Sequence, residues 1–307
     1  MGEIKTKAAF VAVIGRPSAG KSTLVNQLCG EKVAIVSPVP QTTRNAIRGI
    51  VNREQGQLVF IDTPGRHKSE KKFNKKLSGI SKSAINDSDI VLYMLDASRP
   101  PGPEEAEIAA LLAPHTERIV AAINKIDDSG ASCGADCERA KEFLKQNLPA
   151  LPEGRCYAIS AKNNEGLEVL LEALYAMAPE GEPFYGEEIY TDQEVDFRIA
   201  EIIREQAINR LRQELPHALY VEVAEAGLSE NAAGRQKLRV KAFIVVEQES
   251  QKGIVIGKGG AVIKAIRLGA LAELDKIFDW EITLELQVKT KKRWKRDAGI
   301  LRRITER

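Results

Sequence analysis

Short apolar runs alternate with amphipathic stretches through the first part of the chain. The runs fit strands buried on both faces, as in parallel sheets, and they are Ala9–Ile14, Ile47–Val51, Leu58–Ile61, Ile90–Leu95, Ile119–Ile123 and Cys156–Ile159. Stretches of helical period lie between them, at Lys21–Leu28, Pro103–Leu112, Ala135–Leu148 and Leu167–Met177. This alternation predicts an α/β domain with a doubly wound, mostly parallel sheet over residues 1–177.

The pattern changes after residue 177. Residues 178–191 combine prolines, glycines and acidic residues without an apolar period, which predicts a linker. Residues 192–307 begin with an amphipathic helix from Val195, and two strands, a helix through Lys276, a strand and a basic tail follow. The order α-β-β-α-β predicts a second, smaller α+β domain.

Composition limits the functional classes only loosely. With 307 residues, 43% of them hydrophobic, the chain can bury a full core. The formal net charge is +2, so attraction to nucleic acid must come from local clusters of basic residues. We find no secretory leader and no apolar run near the roughly 20 residues that cross a bilayer. The predicted location is therefore the cytoplasm.

A phosphate-binding motif follows the first predicted strand. The segment matches G-x-x-x-x-G-K-[ST] and opens a predicted helix, the context that this motif requires. Backbone N–H groups and the lysine would contact phosphate oxygens, and the serine hydroxyl would bind Mg²⁺. The candidate residues are Gly15, Arg16, Pro17, Ser18, Ala19, Gly20, Lys21 and Ser22.

A second motif, Asp62-Thr63-Pro64-Gly65, ends the strand Leu58–Ile61. Its aspartate can reach Mg²⁺ through water, and the Gly65 N–H can sense the γ-phosphate. The next residue, Arg66, is included among the GTP-binding candidates. The place of Asp62-Thr63-Pro64-Gly65 at the end of a strand predicts a switch that depends on the bound nucleotide.

The base is predicted from Asn124-Lys125-Ile126-Asp127, which ends the fifth strand. An aspartate that accepts from the N1–H and 2-amino groups of guanine would be left unpaired against adenine, so the base should be guanine. Ser160-Ala161-Lys162 follows the sixth strand and can supply a backbone N–H to the guanine O6. Together these motifs resemble the translation-factor-related GTPases.

That resemblance directs attention to the polar segment Gln41-Thr42-Thr43-Arg44. A threonine here can close onto Mg²⁺ when GTP is bound and leave after hydrolysis. Related GTPases keep the threonine immediately before the arginine, which favours Thr43. The predicted magnesium set is therefore Ser22, Thr43 and, through water, Asp62.

No residue for activating water is identified with certainty. Ras-like enzymes place a glutamine after the motif glycine, but here Arg66 has no acceptor for a water proton. His67 is adjacent and is either a water-orienting group or a surface residue. We therefore expect slow intrinsic turnover, with Lys21, Thr43 and Gly65 as the catalytic candidates and a partner or monovalent cation supplying the remainder.

A second glycine loop, Gly257-Lys258-Gly259-Gly260, precedes an amphipathic helix in the smaller domain. This loop and the element order resemble the bacterial (type II) KH domain, in which a GXXG loop approaches a sugar-phosphate chain and an apolar groove holds bases. The RNA-binding candidates here are Ile256, Gly257, Lys258, Gly259, Gly260 and Lys264. A second nucleotide site or a simple helix cap are the alternatives.

The basic tail, Lys289–Arg296, concentrates cations around an aromatic residue. It can hold RNA phosphates and stack on a base, or it can be a solvated helix face. The candidate residues are Lys291, Lys292, Arg293, Trp294 and Lys295.

A GTPase domain followed by a KH domain is similar to the arrangement of the Era family. The resemblance implies binding of GTP and GDP, binding of the 3′ region of small-subunit ribosomal RNA, maturation of the 30S subunit, a monomeric state and peripheral contact with the membrane. It also implies Mg²⁺, whereas activation by K⁺ is in doubt because Ser18 replaces the usual asparagine. The rivals are a signalling GTPase whose second domain binds protein and a passive RNA-binding module with a vestigial nucleotide site.

Overall fold

The computed structural model describes residues 6–39, 42–65, 72–128, 133–212, 215–230, 234 and 236–305. The chain forms two compact units. The first contains residues up to 34 together with 43–192, and the second contains residues 35–42 and those from 193 onward.

The first unit is a six-stranded sheet with helices. Its strands are β1 (Lys7–Gly15), β2 (Ile47–Arg53), β3 (Gly56–Asp62), β4 (Ile90–Asp96), β5 (Ile119–Asn124) and β6 (Cys156–Ala158). Its helices are α1 (Lys21–Cys29), α2 (Lys72–Asn86), α3 (Pro103–Leu112), α4 (Cys133–Asn147) and α5 (Leu167–Met177). Helix α2 is absent from the helices predicted above.

The strand order is β2-β3-β1-β4-β5-β6. Strands β3, β1, β4, β5 and β6 are parallel, and β2 runs antiparallel to β3. Every residue of β3 and β4 is buried, because the sheet is covered on both faces. The doubly wound, mostly parallel sheet is thus confirmed, and the loops after β1, β3, β4 and β5 meet at one edge.

The segment predicted as a linker is hydrogen-bonded to the first unit. The N–H of Ala8 donates to the carbonyl of Pro179 at 3.1 Å, and the N–H of Ile50 donates to the carbonyl of Tyr190 at 2.9 Å. The side chain of Gln57 donates to the carbonyl of Tyr185 at 2.9 Å. Residues 178–191 therefore follow the edge of the sheet as an extension of the first unit.

The second unit has a three-stranded sheet, β7 (Tyr220–Glu230), β8 (Gln236–Val246) and β9 (Glu281–Thr290). Strand β7 is antiparallel to β8, and β9 is parallel to it. The helices are α6 (Val195–Arg210), α7 (Leu215–Ala218), α8 (Glu249–Ile256), α9 (Ala261–Ile277) and α10 (Ala298–Thr305). The predicted α-β-β-α-β order is present, with three additional short helices.

One face of this sheet packs against the long helices α6 and α9 through a cluster that includes Ile203, Ile244 and Leu274. The opposite face carries a smaller cluster of Tyr220, Phe243, Val245, Trp294 and Ile300. The predicted basic tail therefore covers part of the second face as a short 3₁₀ turn and α10. Across the described residues, every helix is too short or too polar to cross a membrane.

Candidate nucleotide site and nucleic-acid surface

The phosphate loop joins β1 to α1 and contains two glycines that have no room for a side chain. Gly20 caps α1 with a φ of 97°, and a Cβ on it would overlap the side-chain amide of Asn124. A Cβ on Gly15 would lie 2.7 Å from the carbonyl oxygen of Met94. Ser18 has a φ of 62°, where asparagine is more common than serine. Packing therefore fixes the path of this loop.

Lys21 lies inside the loop with 6% of its surface exposed. Its Nζ donates to the carbonyl oxygens of Gly15 at 3.1 Å and Arg16 at 2.9 Å. Burial lowers the pKa of Lys21 to about 8, and the carboxylate of Asp62 opposes that shift. A buried ammonium with so little anionic compensation is well prepared to receive phosphate oxygens.

The predicted magnesium residues lie together. The Ser22 hydroxyl donates to Asp62 Oδ2 at 2.6 Å and lies 3.0 Å from the Thr43 hydroxyl, which is 3.4 Å from the same carboxylate oxygen. Burial raises the pKa of Asp62, while Lys21, Ser22 and Thr43 oppose the rise. Asp62 Oδ1 is buried without a hydrogen-bond partner among the described residues. Two hydroxyls and an unsatisfied carboxylate suit Mg²⁺ or its bound water.

The neighbouring threonine is used differently. The Thr42 hydroxyl donates to the carbonyl of Val39 at 2.6 Å. That bond stabilises a local turn, and it leaves Thr43 as the threonine beside Ser22. The arrangement supports the predicted preference for Thr43.

Two residues of α6 hold the segment 35–42, and neither is among the residues singled out from the sequence. Arg204 Nη2 donates to the carbonyl of Thr42 at 2.6 Å. Glu205 accepts a hydrogen bond from the backbone N–H of Val36 at 2.8 Å. Arg204 and Glu205 are 2% and 4% exposed, so α6 holds Val36 and Thr42 from a buried position.

The Asp62-Thr63-Pro64-Gly65 motif packs against β1 and the phosphate loop. The Thr63 hydroxyl donates to the carbonyl of Val13 at 2.8 Å, and the carbonyl of Pro64 accepts from Ser81 at 3.0 Å. A Cβ on Gly65 would lie 2.7 Å from Pro17 Cα. Glycine is therefore required where this motif meets the phosphate loop.

The residues discussed for water activation, Arg66 and His67, lie outside the described residues, as does Gln41. Their predicted roles stay predictions. Among the catalytic candidates, Lys21, Thr43 and Gly65 all lie at the phosphate-binding edge.

Asn124 connects the phosphate loop to the two segments predicted to bind guanine, Asn124–Asp127 and Ser160–Lys162. Its side-chain amide donates to the carbonyl of Ala19 in the phosphate loop at 2.8 Å. Its side-chain oxygen accepts from the backbone N–H of Ala161 at 2.9 Å. Both groups are buried, so the asparagine fixes the relative position of these loops.

Asp127 is held at the same edge. Its Oδ1 accepts from the Ser160 hydroxyl at 2.6 Å, and Lys162 Nζ lies 3.8 Å from Oδ2. Lys125 has a φ of 69°, and the N–H of Ile126 donates to Ile159 at 3.4 Å. The predicted guanine residues are thus assembled, with one carboxylate oxygen only weakly engaged.

Sequence reasoning missed two buried acidic residues at this edge. Asp96 and Glu105 form ion pairs with Arg16, and Asp96 also pairs with Lys125. A signal was present, because Asp96 directly follows the apolar run Ile90–Leu95 where ligands of parallel sheets bind.

The second glycine loop is open at Gly259 and Gly260 but not at Gly257, where a Cβ would lie 2.5 Å from the side chain of Val262. Gly257, Gly259 and Gly260 have φ values of 74°, 60° and 78°. Nothing lies within 4 Å of a Cβ built on Gly259 or Gly260. Lys258 and Lys264 are exposed, and Ile256 is half-buried. The loop and the first turn of α9 thus present backbone, two cations and a half-buried apolar residue to solvent.

The base-stacking prediction for Trp294 is wrong. Its ring is fully buried and lies 4.9 Å from the ring of Tyr220, and its Nε1–H donates to the carbonyl of Ala218 at 3.1 Å. Cations flank this tryptophan on both sides in the sequence, which is the pattern of a surface residue. Its indole is satisfied within the core, so it has no free face for a base.

The cations around Trp294 stay on the surface. Lys292 and Arg293 are exposed. Lys291 Nζ lies 3.4 Å from a carboxylate oxygen of Asp297, and Lys295 is half-buried. Exposed pairs of this kind contribute little to stability, so these groups keep their capacity to meet phosphates.

Comparisons with known proteins agree with the two-unit organisation. Residues 10–125 match the family model described as a 50S ribosome-binding GTPase. Residues 214–295 match the family model described as a KH domain.

Curated relatives match almost the whole chain. The chain is 51% identical to GTPase Era of Treponema denticola, with 97% of this chain and 99% of the relative covered. It is 46% identical to GTPase Era of Treponema pallidum, with 92% of each chain covered.

A solved structure of Era in complex with MgGDPNP and nucleotides 1506–1542 of 16S ribosomal RNA is also similar. It is 33% identical with a TM-score of 0.90, and the match covers 97% of this chain and 98% of that chain. A variant of Aquifex aeolicus Era bound to GDP and aluminium fluoride matches with the same TM-score, 0.90.

Proposed function

We propose, since this chain belongs to the GTPase Era family, that it is a GTP-hydrolysing switch that binds the 3′ region of small-subunit ribosomal RNA and assists assembly and maturation of the small subunit. The observation that carries the proposal is the glycine loop 257–260, open at Gly259 and Gly260 and close to exposed lysines, in a chain whose first unit brings the predicted guanine-nucleotide residues together. The relative solved with a 16S fragment favours the small subunit as the partner.

Each nucleotide motif has a defined task in this proposal. Backbone N–H groups of the phosphate loop and Lys21 bind the β- and γ-phosphates, and Asp127 selects guanine. Ser22 and Thr43 would bind Mg²⁺ directly and Asp62 through water. The metal supplies charge stabilisation on the phosphate oxygens. The MgGDPNP complex of the solved relative supports this metal.

We expect the intrinsic hydrolysis rate to be low, because Arg66 cannot orient an attacking water through an acceptor. Positioning and electrostatic stabilisation then carry the basal reaction. Ser18 is shorter than asparagine, so we expect at most weak activation by K⁺. Single-turnover hydrolysis in K⁺ and Na⁺ buffers measures both expectations, and fast turnover in Na⁺ alone would contradict them.

The segment 35–42 suggests how nucleotide state reaches RNA. Thr43 lies beside Ser22 and Asp62, while the preceding residue accepts a hydrogen bond from Arg204. We infer that a movement of Thr43 on nucleotide exchange would be transmitted along one peptide bond to Thr42, whose carbonyl bonds to Arg204 of α6. Coupling of this kind requires differential contacts in the two nucleotide states.

Binding of the full chain to a labelled RNA of the 16S 3′ end tests the function, measured with GDP and with GDPNP. We expect tighter binding with GDPNP and a roughly tenfold loss for Lys258→Glu, because a phosphate contact becomes a repulsion. The matched control is Lys145→Glu, an exposed lysine of the first unit. Equal affinity of Lys258→Glu and wild type, or no binding of the RNA at all, would overturn the RNA assignment while leaving GTP binding intact.

Two features implied by the resemblance are proposals as well, namely a monomeric state and peripheral contact with the membrane. Light scattering of the full chain tests the first. Sedimentation with anionic vesicles tests the second, and recovery only in the supernatant would contradict it.

A further inference from the structure

Two buried carboxylates link the nucleotide motifs without belonging to them. Asp96 ends β4, and Glu105 lies in the first turn of α3. Their side chains are 1% and 4% exposed. Burial of a carboxylate at this depth requires compensation by cations and hydrogen bonds.

Two of the compensating cations come from the nucleotide loops, and a third, Arg99, lies three residues after Asp96, with its Nε 3.2 Å from Asp96 Oδ2. Arg16 of the phosphate loop places Nη1 2.7 Å from Glu105 Oε1 and Nη2 3.3 Å from Asp96 Oδ2. Lys125 of the guanine motif places Nζ 2.9 Å from that same Asp96 oxygen. One carboxylate oxygen therefore bonds to a residue in each of the two loops.

The topology explains why Asp96 can reach both loops. Strand β4 lies between β1 and β5 in the sheet. The phosphate loop follows β1 and the guanine motif follows β5, so the last residue of β4 has one loop on each side. A carboxylate at the amino end of β4 would contact neither.

Each carboxylate is oriented by its own segment before it meets a cation. Asp96 Oδ1 accepts from the backbone N–H and hydroxyl of Ser98 at 3.0 and 2.5 Å. Glu105 Oε2 accepts from the N–H of Gly102 at 2.8 Å. The second oxygen of each is thereby directed at Arg16 or Lys125, a pre-organised arrangement.

The loops need such support, because both hold strained residues. Ser18 and Lys125 have φ values of 62° and 69°, and left-handed residues other than glycine cost about 1 kcal/mol or more each. Arg16 Nε is buried and lacks a hydrogen-bond partner in the described part of the chain. Its two carboxylates offset the burial of that charge.

We propose that Asp96 is a positioning residue that holds the phosphate loop and the guanine loop at the spacing a guanine nucleotide requires, and that Glu105 fixes the phosphate-loop end of this link. The proposal rests on nucleotide binding by the first unit and is independent of RNA binding. It predicts that the two carboxylates affect ligand binding differently. Loss of Asp96 weakens ligands that span both loops, whereas loss of Glu105 weakens every ligand of the phosphate loop.

The test uses the full chain and two probes, a fluorescent GDP and inorganic pyrophosphate as its competitor. For Asp96→Asn we expect GDP affinity to fall about tenfold, through loss of charge-assisted bonds, while pyrophosphate affinity changes less than threefold because Glu105 still holds Arg16. For Glu105→Gln we expect both affinities to fall by the same factor. The matched control is Asp89→Asn, just before the opposite end of β4, which should bind both probes as the wild type does.

Two outcomes would overturn the proposal. If Asp96→Asn loses GDP and pyrophosphate in equal proportion, Asp96 has a general structural role. If it loses neither, the link is irrelevant to binding. Thermal melting of the nucleotide-free protein shows whether the variant folds. If Asp96→Asn does not fold, Asp96→Glu is tested in its place, because it keeps the negative charge but moves the carboxylate. The proposal is overturned if the ratio of GDP affinity to pyrophosphate affinity in Asp96→Glu equals that of the wild type.

Discussion

The phosphate loop and the glycine loop 257–260 use one local device in different surroundings. In both, a glycine with positive φ caps a helix, Gly20 for α1 and Gly260 for α9. A side chain at Gly20 would overlap Asn124, whereas one at Gly260 would meet nothing within 4 Å. The first loop is fixed by its neighbours. The second is packed at Gly257, against Val262, and open to solvent at Gly259 and Gly260.

The lysines of the two loops differ in the same way. Lys21 is buried and donates to carbonyl groups of its own loop. Lys258 is exposed. A small, defined ligand is thus met by a buried cation, while an extended ligand is met by exposed backbone and an exposed cation.

The largest change in stability is expected at Trp294, the buried aromatic residue next to the exposed cations of the tail. Trp294→Ala should destabilise the second unit by about 3 to 5 kcal/mol, because a fully buried ring and its hydrogen bond are lost. Chemical denaturation followed by circular dichroism measures the change. A stability loss below about 1 kcal/mol would mean that the tail is a ligand surface after all, and Lys292→Ala is the control that should leave stability unchanged.

The next largest effect is expected on GDP affinity, when a side chain is added to a glycine of the phosphate loop. Gly20→Ala combines a strained φ with overlap against Asn124, so we expect GDP affinity to fall roughly a hundredfold, about 3 kcal/mol. Titration with a fluorescent GDP measures this. Wild-type affinity would show that the loop adapts, and the contrast with the second loop would then disappear.

The same substitution in the open loop should have a smaller effect. Gly259→Ala places alanine at a φ of 60° with free space around it, which costs about 1 kcal/mol of conformational strain. Urea denaturation measures the loss, and GDP affinity serves as the control that should not change. A loss above about 3 kcal/mol would show hidden packing around this glycine.

A pH titration sharpens the contrast between the lysines. Since the pKa of buried Lys21 is lowered to about 8, the free protein loses this charge as pH rises, and phosphate binding must restore it. Raising the pH from about 7 to about 8.5 should therefore weaken GDP binding roughly fourfold, and binding should be accompanied by proton uptake. Calorimetry in two buffers of different ionisation enthalpy, with and without Mg²⁺, detects that uptake. Stronger binding at the higher pH would contradict the sign.

The smallest expected effect is at Ser18. Ser18→Asn introduces a residue that tolerates positive φ better, so stability should rise by about 0.5 kcal/mol. Thermal melting measures the gain. Hydrolysis in K⁺ and Na⁺ shows whether the asparagine also introduces cation dependence, and a loss of stability would argue against backbone strain at this position.

Much of the first unit is predictable because its strands and nucleotide motifs can be recognised from residues that are close together in the sequence. Buried parallel strands appear as apolar runs, and the motifs follow those strands directly, so the strand ends alone place Lys21, Asp62 and Asp127 at one edge of the sheet. The position of Asp96 directly after the run Ile90–Leu95 marks it as a residue of the same edge. Its partners and the role of Glu105 escape prediction, because they depend on side-chain pairing between elements far apart in sequence.

The second unit is harder to predict. Its predicted element order is correct, but α8 is absent from the prediction, and the pattern indicates an exposed aromatic residue for base stacking at Trp294. The error at Trp294 has a physical origin. A tail with several cations and one tryptophan has the same pattern whether the ring faces solvent or the uncovered face of β7 and β8, and the decision depends on Tyr220 and Phe243, far away in sequence.

The hydrogen bonds that α6 makes to residues 35–42 affect how the protein can be dissected. A fragment that stops after residue 192 keeps every nucleotide motif but removes Arg204 and Glu205, the partners of the Thr42 carbonyl and the Val36 N–H. The excised fragment would carry a loosened segment next to Thr43. Its enzymology would describe a different molecule, so rates measured on such a truncation should not be assigned to the intact chain.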